Sequence, residues 1–166
     1  MSKTIEDLKA AFAGESQANR KYLAFAKAAE KEGKVNLAKL FRAVAEGETI
    51  HALKHLANLG EVKTSVENVK AALAGETYEI ETMYPAFIAD AQEESEKAAE
   101  TGFVGAKEVE KIHQGQFASA LAAVEAGQDI EAKEYYICPV CGNLFDSELP
   151  DNCPICHVPK EKFVKM

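Results

Sequence analysis

A duplicated quartet restricts the fold more than any other feature. Glu48-Thr49-Ile50-His51 returns as Glu110-Lys111-Ile112-His113, each inside a long stretch of helical periodicity. Residues three apart on a helix share a face about one turn apart, so each quartet offers one carboxylate and one imidazole to a single point. Each quartet also follows an Ala-x-Ala-Gly-Glu sequence, Ala11-Phe12-Ala13-Gly14-Glu15 and Ala72-Leu73-Ala74-Gly75-Glu76. Two glutamates from two helices, with two Glu-x-x-His pairs from two others, make the ligand set of a carboxylate-bridged di-metal site in a four-helix bundle.

The periodicity predicts helices over residues 4–32, 36–59, 68–99 and 103–126, with Gly33, Gly60, Gly102 and Gly127 as breaks. Thr4 with Asp7 and Asn36 are read as N-terminal caps. The inward stripe of the second helix is Leu37, Leu40, Phe41, Val44, Glu48, His51 and His55. Glu15 falls on the apolar stripe of the first helix. A buried carboxylate must be neutralised, paired or metal-bound. His55 has Phe117 at its repeat position, so it is read as structural.

The two helical pairs are copies of one hairpin. Glu15 and Glu76 are 61 residues apart, whereas Tyr22 and Tyr84, Phe25 and Phe87, Glu48 and Glu110, and His51 and His113 are 62 apart. One residue has entered between Glu76 and Tyr84. An insertion inside a helix is commonly absorbed as a π-bulge, so one is expected just before Pro85. Glu79 stands three residues after Glu76, where the first copy has Ala18. Spacing alone leaves Glu79 open between a fifth carboxylate ligand and a surface residue.

Residues 128–134 form a charged linker, and the composition changes from residue 135. The expected domains are therefore 1–130, the bundle, and 131–166, a mini-domain too small for a core of its own. Cys138-Pro139-Val140-Cys141 and Cys153-Pro154-Ile155-Cys156 can place four thiolates tetrahedrally around one ion, either zinc or iron. With the site already complete, His157 receives no metal role.

The formal charge of −8 disfavours a nucleic-acid or anionic-membrane partner. The acidic N-terminal stretch lacks the apolar run of a signal peptide, and no segment reaches the length of a membrane span. With clustered rather than scattered cysteines, the expectation is a soluble cytoplasmic protein.

Carboxylate and imidazole ligands suit iron or manganese. Two ferrous ions can supply the two electrons that reduction of a peroxide O–O bond requires. Tyr22 and Tyr84 lie on the ligand faces, placed to orient carboxylates by hydrogen bonding or simply to pack.

Gly14-Glu15-Ser16-Gln17-Ala18, the two quartets, Ala74-Gly75-Glu76 with Glu79, Met83-Tyr84-Pro85 and the Cys-x-x-Cys-Gly…Cys-Pro-x-Cys tail together closely resemble the rubrerythrin family over almost the whole chain. The resemblance implies a ferritin-like four-helix bundle with a C-terminal rubredoxin-like domain. It implies two irons on Glu15, Glu48, His51, Glu76, Glu79, Glu110 and His113, and one iron on Cys138, Cys141, Cys153 and Cys156. It further implies an exchange of Glu79 against His51 on one iron during reduction. The implied activity is reduction of hydrogen peroxide to water, protecting against oxidative stress. Electrons would pass through the rubredoxin-like centre from an NAD(P)H-dependent reductase, directly or through rubredoxin, usually to the di-iron site of a neighbouring subunit.

In the pseudo-twofold bundle that the repeat implies, the second and third helices run parallel. The link between them must climb roughly 25 Å along the axis, and residues 60–67 reach at most about 26–29 Å. That leaves no slack, which motivates the hypothesis of a homodimer with exchanged hairpins. Two rival readings stand beside the peroxidase. One is an oxygen-using ferroxidase or iron-handling protein; the other is a non-enzymatic interaction protein with a zinc ribbon tail.

Overall fold

The structure, a computed structural model, describes residues 2–146 and 148–166; Met1, which opens the N-terminal stretch, and Ser147 lie outside the described residues. The chain is all-α apart from its C-terminal module. It consists of two compact units, Met1–Lys63 and Thr64–Met166.

The first unit is a hairpin of α1 (Lys3–Lys31) and α2 (Val35–Asn58). Ser2, not Thr4, caps α1, its side chain accepting from the Ile5 N–H. No side chain caps α2, so Asn36 does not serve there. Gly33 at φ 74° ends α1, and the Lys34 N–H donates to Ala29 O at 2.8 Å in the six-residue closure of a Schellman turn.

The helices meet on small residues: Ala26 and Ala29 from α1, and Ala38, Ala45 and Ala52 at seven-residue steps along α2, all buried. Alanine lets two backbones approach closely. Of the larger residues of the α2 stripe, Phe41 joins this contact, packing on the alanines and against Tyr22 and Phe25; the aliphatic ones do not. Leu37, Leu40 and Val44 stay exposed, as do Ile50 and Leu53. The hairpin thus keeps several large apolar side chains of α2 outside its own core.

The second unit begins with a capping box that sequence reading placed in a loop. The Thr64 hydroxyl accepts from the Glu67 N–H, and the Glu67 carboxylate accepts from the Thr64 N–H. Helix α3 therefore starts at Ser65, three residues early (Ser65–Tyr78). The expected π segment follows at Glu79–Met83, then α4 (Tyr84–Glu93) with Pro85 in its first turn. Proline has no N–H and clashes with the preceding turn. The wide turn before Pro85 absorbs both the inserted residue and that conflict.

The break after α4 differs from expectation. It falls at residues 94–96, not at Gly102, and α5 runs Lys97–Glu125. Ser95 takes the left-handed conformation at φ 61°, and the Glu96 N–H donates to Ala91 O at 2.8 Å. The 62-residue offset carries Gly33 onto Ser95 and Val35 onto Lys97, so the turn is the repeat of the first one. Among the described residues no helix is long and apolar enough to cross a membrane.

The C-terminal module holds a three-stranded antiparallel sheet in the order β2-β1-β3, from β1 (Tyr136–Ile137), β2 (Leu144–Phe145) and β3 (Val164–Lys165). Phe145 and Phe163 stack at 4.5 Å between centroids. The deepest side chains of the module are Cys138, Cys153 and Asn143.

Candidate metal centres

On the first hairpin, Glu15 from α1 meets Glu48 and His51 from α2. His51 Nδ1 lies 3.3 Å from Glu48 Oε2 and 3.8 Å from Glu15 Oε1. A polar clamp sets this register: Asn19 Nδ2 donates to Ala45 O at 2.7 Å and to Thr49 Oγ1 at 2.8 Å. Asn19 is one turn from Glu15 and Thr49 is next to Glu48, so the clamp holds the two carboxylates level. His55 Nδ1 is buried without a hydrogen-bond partner among the described residues.

The second unit repeats the arrangement with Glu76 from α3 and Glu110 and His113 from α5. His113 Nδ1 is 2.7 Å from Glu110 Oε2 and 3.8 Å from Glu76 Oε1. Here the clamp is Gln114 Nε2 donating to Thr77 Oγ1 at 2.8 Å, beside His113 and Glu76. Sequence reading missed both clamps, although Asn19 follows Glu15 by one turn on the same helix face.

Within each triad one ligand atom per residue lies within 4.8 Å of the others. Oxygen and nitrogen ligands about 2.0–2.2 Å from one ion fall within such separations, so both triads fit a metal. Glu79 opens the π segment next to the second triad, outside the group of ligand-distance atoms but in its field. Tyr22 packs with Phe25 and Phe41, and Tyr84 with Phe87 and Phe103. Burial, and then the charges of Glu79, Glu110 and Glu76, push the Tyr84 phenol up, so it keeps its proton.

The carboxylates register the crowding of negative charge. Burial, followed by the hydrogen bond and charge of Glu110 and the charge of Glu79, raises Glu76 to about 7. Burial and Glu110 raise Glu79. Glu15 is raised mainly by its hydrogen bond with Glu48, whose own carboxyl is lowered by the same bond. A cation is the direct remedy for such crowding.

This predicts an unusual pH profile for the metal-free protein. A carboxyl raised from 4.5 to about 7 in the folded state holds its proton after the unfolded chain has released it. Stability therefore falls as pH rises through that window, by at most about 3 kcal/mol from Glu76. Glu15 acts in the same sense, while the lowered Glu48 opposes at more acid pH. Thermal unfolding with chelator at pH 5 and pH 8 checks this. Glu76→Gln should flatten the slope, and stability increasing across the window would contradict the charge account.

In the C-terminal module, Cys138 Sγ and Cys156 Sγ are 3.5 Å apart, as are Cys141 Sγ and Cys153 Sγ. Disulfide sulfurs lie at about 2.05 Å. Four sulfurs about 2.3 Å from a central ion stand a little under 4 Å apart. The four thiols thus fit one tetrahedral metal. Burial pushes Cys141 up. Cys153 is buried too, but the N–H groups of Cys156 and Ile155 together with the Cys141 and Cys156 thiols more than offset this and bring it to about 7.

Family comparison agrees with both kinds of site. A family model described as rubrerythrin matches residues 6–121. A second, described as the rubredoxin-like domain of rubrerythrin, matches residues 136–164. The chain belongs to the rubrerythrin family. Rubrerythrin-2 of Clostridium acetobutylicum is 37% identical, over 96% of this chain and 95% of the relative. Nigerythrin of Nitratidesulfovibrio vulgaris is 38% identical over 96% of this chain and 85% of its own.

The solved structure of fully reduced, all-ferrous nigerythrin matches with a TM-score of 0.59 at 36% identity, covering this whole chain and 88% of that one. The mixed-valence state of nigerythrin gives 0.58. In keeping with this family, the chain carries the Glu and His groups of a di-iron carboxylate site and a four-cysteine rubredoxin-like site. Rubrerythrin-family names point to an oxidoreductase.

Proposed function

We propose that this chain is a di-iron peroxidase that reduces hydrogen peroxide to water. The observation that carries the reading is the presence, on one chain, of two matched Glu-Glu-His triads and a tetrahedral set of thiols. Two ferrous ions would supply the two electrons which, with two protons, turn one hydrogen peroxide into two waters.

Glu15, Glu48 and His51 would hold the metal from one hairpin, and Glu76, Glu110 and His113 from the other. Glu79 and His51 are the exchanging pair that the family resemblance implies. The exposure of His51 and the position of Glu79 at a wide helical turn leave both side chains room to move. Tyr84, kept protonated beside Glu79, Glu110 and Glu76, would donate from Oη to a ligand carboxylate in the metal-loaded site and fix its orientation, and Tyr22 would do so in the first hairpin. Cys138, Cys141, Cys153 and Cys156 would hold an iron, which supplies one-electron chemistry and so could take single electrons from rubredoxin or an NAD(P)H-dependent reductase. On this reading residues 1–130 do the peroxide chemistry and residues 131–166 the electron relay, in the cytoplasm.

The working unit is a homodimer in which α1 and α2 of one copy pair with α3–α5 of the other. With the observed helix ends, Glu48 is ten residues from the end of α2 and Glu76 eleven from the start of α3. Crossing one bundle between them requires a climb of roughly 30 Å. The seven Cα steps from Asn58 to Ser65 reach about 25 Å fully stretched. A single chain falls short, whereas a second copy closes both bundles without new surface chemistry. The uncovered stripe of α2, and Tyr78, Phe87 and Val104 in the second unit, supply the apolar faces for that pairing.

Stopped-flow oxidation of the anaerobically reduced protein tests the activity. Peroxide should oxidise it far faster than oxygen does. Faster oxidation by oxygen would instead identify a ferroxidase, and a colourless, zinc-filled protein would remove redox function altogether.

A further inference from the structure

The two knuckles of the cysteine module are copies of each other. The Cys138 N–H donates to Asn143 O at 2.8 Å, and the Cys153 N–H to Val158 O at 2.8 Å. The Gly142 N–H donates to Cys138 O at 3.0 Å, and the His157 N–H to Cys153 O at 2.9 Å. Gly142 and His157 both take the left-handed conformation, at φ 84° and 60°. Asn143 and Val158 are therefore equivalent positions, one carrying a carboxamide where the other carries an apolar side chain.

Asn143 is 1% exposed, as deep as Cys138. Its Oδ1 is buried with no partner among the described residues. Burying an amide half satisfied is costly. The matching knuckle does without it. What the amide gains is on its other end: Nδ2 lies 3.8 Å from Cys153 Sγ, within reach of an N–H···S bond. The opposite amide orientation would set a carbonyl oxygen against a thiolate.

We propose that the Asn143 carboxamide, donating from Nδ2 to Cys153 Sγ, raises the reduction potential of an iron held by the four cysteines. The added electron increases the negative charge on the sulfurs. A donor aimed at one of them favours the ferrous form over the ferric. Asn143 is a positioning residue: it touches a ligand sulfur, never the substrate. The inference rests on the reading of this site as an iron electron carrier.

The test is a spectroelectrochemical titration of the full-length, iron-loaded protein as wild type, Asn143→Val and Asn143→Leu. Valine should retain the visible thiolate-to-iron bands. It should lower the potential by about 59 mV, a tenfold shift of a one-electron equilibrium. Leucine, also lacking a donor, should shift it in the same direction. An unchanged potential with intact bands overturns the proposal.

Should neither variant take up iron, cadmium-113-loaded wild type decides by nuclear magnetic resonance. Scalar coupling between the Asn143 side-chain N–H and the metal supports the bond. Its absence, where backbone N–H groups of the knuckles do couple, overturns it. Coupling in a protein that takes only zinc in the cell would refute the electron-carrier reading and leave the hydrogen bond standing.

Discussion

Co-expression of two inactive variants is expected to restore about a quarter of the wild-type di-iron sites. One variant is Glu15→Ala with Glu48→Ala, the other Glu76→Ala with Glu110→Ala. Each chain lacks one triad, so either homodimer has no complete site. In an exchanged heterodimer, one bundle collects both damaged hairpins and the other both intact ones. Half of the dimers are mixed in a statistical assembly, and each mixed dimer owns one good site of two. In an unexchanged dimer every bundle stays half damaged and recovery is nil.

The variants should fold, because removing a glutamate relieves crowding: Glu76 is raised to about 7 by burial and by Glu110 and Glu79, and Glu15 is raised by Glu48. Differently tagged chains purified in tandem isolate the mixed dimer. Iron content and single-turnover oxidation by peroxide count its sites. Well-formed heterodimers with no iron beyond their four-cysteine centres would reject the exchange. The proposed pairing would cover Leu37, Leu40, Val44 and Leu53, which the α1–α2 hairpin leaves exposed. Two helices joined along an alanine seam, one aromatic cluster and one polar clamp leave much of the apolar face of α2 uncovered, and most helix stability comes from packing an apolar face.

Much of this architecture was legible because the chain says everything twice. The helix pattern and the Glu-x-x-His quartets each had an internal copy. The one-residue difference in offset placed a π segment between Glu76 and Tyr84, where the structure has it at Glu79–Met83. What escaped were features where the copies differ in chemistry but agree in backbone. Ser95 ends α4 in the left-handed conformation that Gly33 uses, and a search for glycine passes over it to Gly102. Thr64 and Glu67 form a capping box inside what looked like a polar connection, because polar composition outweighed the Thr-x-x-Glu spacing. The Asn19–Thr49 and Thr77–Gln114 clamps are side-chain contacts between helices, which periodicity alone does not report. Nor did sequence reading foresee that Leu37, Leu40 and Val44 of the α2 stripe would be bypassed by its own hairpin partner. A hydrophobic stripe says that a residue is to be covered, not by which chain.

Replacing Cys138 by alanine should separate the two halves of the chemistry. Cys138 is 1% exposed and its sulfur is 3.5 Å from that of Cys156. Alanine leaves three thiols, and a module with so small a core depends on its metal to stay folded. Loss of the C-terminal iron is the expected result, visible as loss of the red thiolate-to-iron absorption. The triads stand on α1, α2, α3 and α5 and take no ligand from the module. Chemically reduced protein should therefore still be oxidised by one charge of peroxide at nearly the wild-type rate. Turnover with NAD(P)H, reductase and rubredoxin should fall to the background rate. Loss of both steps would mean that the module also builds the peroxide site. Retention of both would mean that electrons enter the bundle directly, leaving the four cysteines a structural clasp. Only the split, single turnover kept and steady turnover lost, fits a relay in which Cys138, Cys141, Cys153 and Cys156 feed electrons to Glu- and His-bound metals.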